Sequence, residues 1–328
     1  MTTREPSEAR LIAKLLGRRL AIGVVMMIVV SLLVFTLTQA LPGDIVRQVL
    51  GQTATPGQIT RLRAELGLDK PLVVQYLHWL GGMVSGDFGS SLASHTPVAD
   101  LLASRIQNTA TLVAITIVIT VPLAVALGVL SARRPGGVAD HLVSASAQLV
   151  LSLPEFVVGI IFILLFATNV TKVLPPTSVL DSRLTAIAQP QLLILPVLTL
   201  VVTASPYLIE SVKTAMRDEL VSEHVRWARL SGIGENRVIV HFGLRNALPS
   251  SIQVAAMTVA YLLGGTVAIE TVFSFPGLGA ELVDAVAARD IPVVQAIVMI
   301  VGAASLVGYI LADLAVILLT PRVRTAVA

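Results

Sequence analysis

Residues able to do chemistry are sparse in this chain, and none falls in a catalytic spacing. Serines are plentiful, but no GxSxG stretch presents one as a nucleophile, and no His and Asp are ordered to form a triad. The HExxH pairing of zinc hydrolases is absent, and so is the GxxxxGK[ST] phosphate loop. The chain has no cysteine, which excludes disulfides and thiolate metal sites, and its five histidines are scattered without an HxxxH pair. Neither ATP hydrolysis, nor a bound cofactor, nor metal chemistry is expected of this polypeptide.

Two groups of ionisable residues nevertheless stand out. The first is a polar island at 221–249, VSEHVRWARLSGIGENRVIVHFGLRNALP, holding Glu223, Arg226, Arg229, Glu235, Arg237 and Arg245 between apolar runs long enough to cross a bilayer. A charged, partly helical segment pinned between two spans must lie in water, where a soluble partner can reach it. Scattered charges usually mean only a solvated face. Here Ala228 and Gly232, small residues one helical turn apart, favour a surface that a partner approaches closely. The second group is Glu155, Glu210 and Asp313, in or near apolar runs, where a carboxylate is costly and by default marks a pathway or a paired site. Glu210 and Asp313 stand near span ends beside Lys213 and Arg322, so structural pairing is expected of both. Glu155 follows Pro154 nearer mid-span and is expected to face an aqueous cavity. A proton relay has less support, because no second carboxylate is placed to take the proton.

The elements that must carry these residues follow from composition. Of 328 residues, 55% are hydrophobic and 13% charged, against roughly 25% charged in soluble domains. So few charges cannot cover a soluble surface, and a net charge of +3 gives no footprint for nucleic acid. Residues 1–19 are basic and predict a short amphipathic helix on the inner membrane face, with residues 1–9 equally readable as a disordered tail. Residues 20–41 form an uncharged run of about the 20 residues a span needs, longer than the apolar core of a signal peptide. A polar insert at 42–108 follows, with helix-like pieces at 60–66 and 72–83. Further spans are predicted at 109–130, 142–167 with a kink at Pro154, 192–212, 250–269 and 291–319, leaving a tail at 320–328. With both termini inside, the inner segments hold fifteen Lys and Arg and the outer segments eight, the bias expected of a cytoplasmic polar island.

Ala228-x-x-x-Gly232, followed by Leu244-Arg245-Asn246-Ala247-Leu248-Pro249, resembles the cytoplasmic EAA loop of ABC-importer permeases, in their dipeptide/oligopeptide/nickel branch. Arg226-Trp227-Ala228 stands where Glu-Ala-Ala would fall, and Pro249 arrives one residue early. Leu41-Pro42-Gly43-Asp44, Leu66-Gly67-Leu68-Asp69-Lys70-Pro71, Gln75-Tyr76 and Gly86-Asp87-Phe88-Gly89-Ser90-Ser91-Leu92 resemble the same branch in its order. So do Glu270-Thr271-Val272-Phe273-Ser274-Phe275-Pro276-Gly277-Leu278-Gly279, Arg289-Asp290-Ile291-Pro292 and Asp313…Pro321-Arg322-Val323-Arg324. The resemblance covers 20–324.

The resemblance implies an all-α membrane protein with the type I importer permease fold: six transmembrane helices, a helical external insert after the first, and a coupling loop at 213–249. Both termini would lie in the cytoplasm of a prokaryote, with the chain in its inner membrane. Glu223, Arg226, Ala228, Arg229, Gly232, Arg245 and Asn246 would meet an ATPase subunit. Asp69, Gln75, Asp87, Phe275, Pro276, Gly277, Arg289 and Asp290 would form an external platform facing a solute-binding protein. Pro154 and Glu155 would border the translocation pathway. Implied partners are a second homologous permease subunit, two ATP-binding subunits that use the ATP, the binding protein and the lipid bilayer. The alternative is a self-sufficient carrier driven by an ion gradient, in which the membrane carboxylates are essential and 221–249 is dispensable. A membrane-anchored scaffold fits the proline-broken spans less well.

Overall fold

The computed structural model describes residues 8–39, 55–65, 69–168, 172–181 and 183–319. The motif at 41–44, residues 66–68 of the next motif and the tail at 320–328 lie outside them, as do residues 1–7. Among the described residues the chain is helical, with no β element beyond one isolated bridge between Ser90 and Pro97. The helices are α1 (Glu8–Gln39), α2 (Pro56–Glu65), α3 (Leu72–Ser85), α4 (Val98–Arg133), α5 (Val138–Leu151), α6 (Glu155–Phe166), α7 (Pro190–Leu220), α8 (Glu223–Leu230), α9 (Glu235–Arg237), α10 (Arg245–Val272), α11 (Leu278–Ala288) and α12 (Ile291–Leu319). A π-helical stretch, Val238–Leu244, joins α9 to α10 without a break. Among the described residues five helices are long and apolar enough to cross a membrane, and α5 with α6 makes a sixth candidate if that bent pair is one span.

Three elements differ from the sequence-based expectation. The basic start is no separate surface helix: α1 runs unbroken for 32 residues, because nothing from Glu8 to Gln39 stops it. It carries no proline, and its glycines weaken a helix without ending one. The second span begins before 109. α4 has 36 residues, about 54 Å, against about 30 Å of hydrocarbon, so three turns of the supposed insert are its start. The third span is broken rather than kinked. α5 and α6 meet at 107°, since Pro154 takes an extended conformation (φ −59°, ψ 143°) and disfavours helix in the residue before it. The prolines at 196 and 206, in contrast, sit inside a continuous α7.

α7 is the central post. It packs most extensively on α4 and α10 and buries residues around its whole circumference. One core cluster joins Leu112, Leu195, Leu200, Ile269, Phe273 and Phe275 towards one end of the bundle. A second joins Leu208, Met216, Val225, Val238 and Ile239 at the other, which is the α8 end. α1 lies along α12, and the Arg19–Asp313 pair (2.5 Å) puts the start of the first and the end of the second at the same level. Asp313 thus pairs with Arg19, a residue far away in sequence; Arg322, the neighbour expected beside it, lies outside the described residues.

At the opposite end α3 lies against the last turns of α1 and does not stand clear of it. The Tyr76 hydroxyl is 2.8 Å from Ser31 Oγ, and Ser31 is about 12 Å along the axis from Gln39. Tyr76 meets Phe35 edge to face and Trp79 packs against it at a tilt, with ring centroids 5.5 and 5.6 Å away.

Candidate functional site

The polar island folds into a helix with two faces. α7 ends at Leu220, two residues turn the chain, and α8 runs from Glu223 to Leu230. Its far end closes as a Schellman motif, with Ile233 N–H donating to Ala228 C=O (3.2 Å) and Gly232 N–H to Arg229 C=O (3.0 Å). Gly232 makes this possible by adopting φ +77°, a region costly for residues with a Cβ. Val225 and Ala228, one turn apart, are buried in the cluster with Met216, Leu220 and Ile239. Glu223, Arg226, Trp227 and Leu230 follow the i, i+3, i+4, i+7 pattern of a single helix face and are exposed. Trp227 is 70% exposed and Leu230 79%, which is a large apolar area to leave uncovered.

The other residues expected here hold that helix in place. The Arg229 guanidinium forks onto Glu235 (3.1 and 2.8 Å) and donates to the Leu220 carbonyl (3.1 Å), tying the end of α7 to the start of α9. Asn246 Nδ2 donates to Glu219 Oε1 (3.1 Å) and the Phe242 carbonyl (3.0 Å), and lies 3.2 Å from His224 Nε2. Arg245 begins α10 on its exposed side. Ala228, expected to lie under an approaching partner, points inward at 5% exposure. Trp227 and Leu230 were not singled out in the sequence, although their helical spacing within a polar stretch marked them.

The bond from Arg229 holds the Glu235 carboxyl below its usual value of 4.5. A carboxylate whose pKa falls on folding contributes stability that is full above its unfolded value and lost as pH falls through its folded value. Both partners are partly exposed, so the contribution is below about 1 kcal/mol. Glu235→Gln is expected to lower the thermal midpoint slightly at pH 7, with the difference shrinking below pH 4.5. A constant difference down to pH 3 would contradict the assignment.

Deeper in the bundle, Glu210 bonds Lys213 (2.8 Å), as its spacing suggested. Lys213 is itself buried and also reaches Ser144 (2.9 Å) and Asp140 (3.7 Å). Asp140, which the sequence did not single out, is the hub. It accepts from Ser131 Oγ (2.6 Å), Gly136 N–H (2.8 Å) and Arg217 (2.5 Å), locking α4, α5 and α7 together. Glu155 opens α6 directly after the break, and its Oε2 accepts from the Tyr261 hydroxyl at 2.8 Å. Pro154, the residue before it, is exposed at the bend.

At the far end, several residues expected on an external platform are turned inward. Asp290 is buried and accepts from Ser91 Oγ (2.5 Å), Leu92 N–H (3.1 Å) and Ala93 N–H (3.2 Å), fixing the loop before α4. Phe275 is wholly buried, Gly277 is buried at the start of α11, and the Pro276 carbonyl accepts from Asn108 (2.8 Å). Asp69, Asp87 and Arg289 are exposed, and Asp87 closes its own turn through Gly89 N–H (3.0 Å). Gln75 is half-buried and bridges the Lys70 carbonyl (2.8 Å) to Gln39 (3.2 Å). A cavity of about 500 Å³ opens here between Asp100, Arg105, Asn108, Asp181, Arg183 and Pro276.

Comparison with known proteins matches this arrangement. Residues 124–325 match the model of the binding-protein-dependent transport system inner membrane component family, and residues 12–128 match that of the N-terminal membrane component of the same systems. A protein of Sinorhizobium fredii named "Probable peptide ABC transporter permease protein" is 34% identical over 307 residues, 94% of this chain and 98% of that one. An "Oligopeptide transport system permease protein" of Bacillus subtilis is 32% identical over 311 residues, again 94% and 98%. The bundle is that of a type I importer permease, a multi-span inner membrane protein that works in a complex with other subunits. The chain belongs to the family of inner membrane components of binding-protein-dependent transport systems.

Proposed function

We propose that this chain is one permease subunit of an ATP-driven importer of di- or oligopeptides. It pairs with a second homologous permease subunit, is driven by two ATP-binding subunits that consume the ATP, and receives its solute from an extracytoplasmic binding protein. The observation that carries the reading is the exposed Trp227–Leu230 face of α8, held on a bundle by Arg229, Asn246 and a Schellman turn. A rigid helix with an uncovered apolar face suits the transmission of movement from a motor, which biases a two-state helix bundle. The excess of Lys and Arg on the α8 side supports a cytoplasmic location for that side and for both termini. Peptides are favoured as cargo because the relatives above carry that name.

The test is ATPase activity of the reconstituted complex, with its binding protein, against a panel of peptides and nickel chelates. Stimulation by peptides of a narrow length range is the expected result. Purified chain that moves solute down an ion gradient, with no ATPase co-purifying, would establish the carrier instead.

A further inference from the structure

We propose that Glu155, with Tyr261 and Tyr207, forms a recognition point for the primary ammonium group of a peptide in transit, a reading that rests on the importer assignment above. Tyr261, the bonding partner of Glu155, is the eleventh residue of the 22-residue stretch Ser251–Val272, so the carboxylate stands near the middle of a span. Gly265, one turn further along α10, admits it: a Cβ there would come within 2.8 Å of Glu155 Oε2. Among the described residues no cation pairs with Glu155, and the Tyr261 hydroxyl is its one hydrogen-bond donor. The other carboxylates set into the bundle are satisfied differently. Asp140, Glu210 and Asp313 each hold a Lys or Arg, and Glu270 accepts from a hydroxyl and two backbone N–H groups. Glu155 alone of these holds neither a Lys or Arg nor a backbone N–H.

The surroundings suit a cation. Tyr261 also lies beside Thr203 on α7, and Tyr207 follows Thr203 by one turn on the same face. α7 is the most buried of the spans, yet Tyr207 is 58% exposed between buried neighbours, so this side is left open by the chain's own helices. A carboxylate facing lipid would be expensive, whereas one facing an aqueous pathway is a functional site by default. A carboxylate flanked by two phenol rings offers an ammonium group a charged acceptor and aromatic faces together.

The absence of cysteine makes the test direct. In the assembled complex, Tyr207→Cys supplies a single thiol on this chain beside the carboxylate. A cationic methanethiosulfonate reagent is expected to label it about tenfold faster than an anionic one, and Glu155→Gln should remove that preference. Glu155→Gln retains an oxygen to accept from Tyr261, so the local fold is kept. In the chain without the thiol, Glu155→Gln should also lower the uptake ratio of a tripeptide with a free N-terminus to its N-acetylated form severalfold. A purely structural role would slow both peptides alike. Labelling rates that ignore Glu155, or an unchanged peptide ratio, would overturn the proposal. If the loaded binding protein fails to stimulate ATPase in the unmodified complex, the importer reading fails instead, and the labelling still reports on the site because it needs no transport.

Discussion

Trp227→Ala is expected to separate the ATP-binding subunits from the permease and to lower peptide uptake by 30-fold or more, as a change of about 2–4 kcal/mol at an interface anchor implies. The indole is 70% exposed in the free chain, so truncating it removes little that this fold uses, and surface changes of that kind shift stability by about 0.5 kcal/mol or less. Leu230→Ala, at 79% exposure, should act in the same direction with a smaller effect. Ala228→Leu is the contrast, since it would force three carbons into a packed core and loosen α8 itself. Gly232 sorts the remaining ambiguity. A Cβ there meets no atom within 4 Å, but φ +77° costs any side chain about 1 kcal/mol. Gly232→Ala therefore reports backbone strain alone, and Gly232→Arg reports strain plus a bulky cation at the docking face. Co-purification of the ATP-binding subunits in detergent and uptake in vesicles measure both. An intact, transporting complex with Trp227→Ala would remove α8 as the coupling element.

The sequence disclosed the spans more readily than the faces. Apolar runs and the distribution of Lys and Arg are one-dimensional signals, and the span predicted at 291–319 coincides with α12. What a proline does is not one-dimensional. Pro196 and Pro206 sit within α7 and are themselves buried by neighbouring helices, while Pro154 is exposed where α5 and α6 meet at 107°. Nothing in the strings LPVL, SPYL and LPEF distinguishes the two outcomes. Asp140 was overlooked because its partners come from 131, 136, 213 and 217, and only the folded chain gathers them. Trp227 was visible but was weighed as a departure from the Glu-Ala-Ala pattern rather than by its position on a helix. The resemblance at 270–279 and 289–292 implied a surface facing a binding protein. Folding turns Glu270 and Asp290 inward, where they accept from the backbone N–H groups of Gly279, Ala280, Leu92 and Ala93, and buries Gly277 against the Glu270 carboxyl group.

Glu270→Ala should consequently be among the most destabilising single changes in the chain, at about 3 kcal/mol. α11 begins at Leu278, and Gly277 before it has no side chain to cap the first N–H groups. Glu270, reaching over from α10, accepts from Gly279 N–H (2.6 Å) and Ala280 N–H (3.2 Å), and from Thr109 Oγ1 (2.7 Å). The side chain is wholly buried, so its removal leaves donors without water, at about 1–3 kcal/mol for each one stranded. Gly277→Ala attacks the same point from the other side. Its backbone is extended and suits any residue, but a Cβ would overlap the Glu270 carboxyl group, and overpacking of this kind costs about 1–3 kcal/mol. The two changes should not add. With Glu270 already cut back to Ala, the methyl at 277 has nothing to strike, and the double variant should melt close to Glu270→Ala alone. Thermal midpoints of the four proteins in detergent decide this. Additive losses would mean that Gly277 is needed for something other than room for the carboxylate, and that the cap on α11 does not depend on their contact.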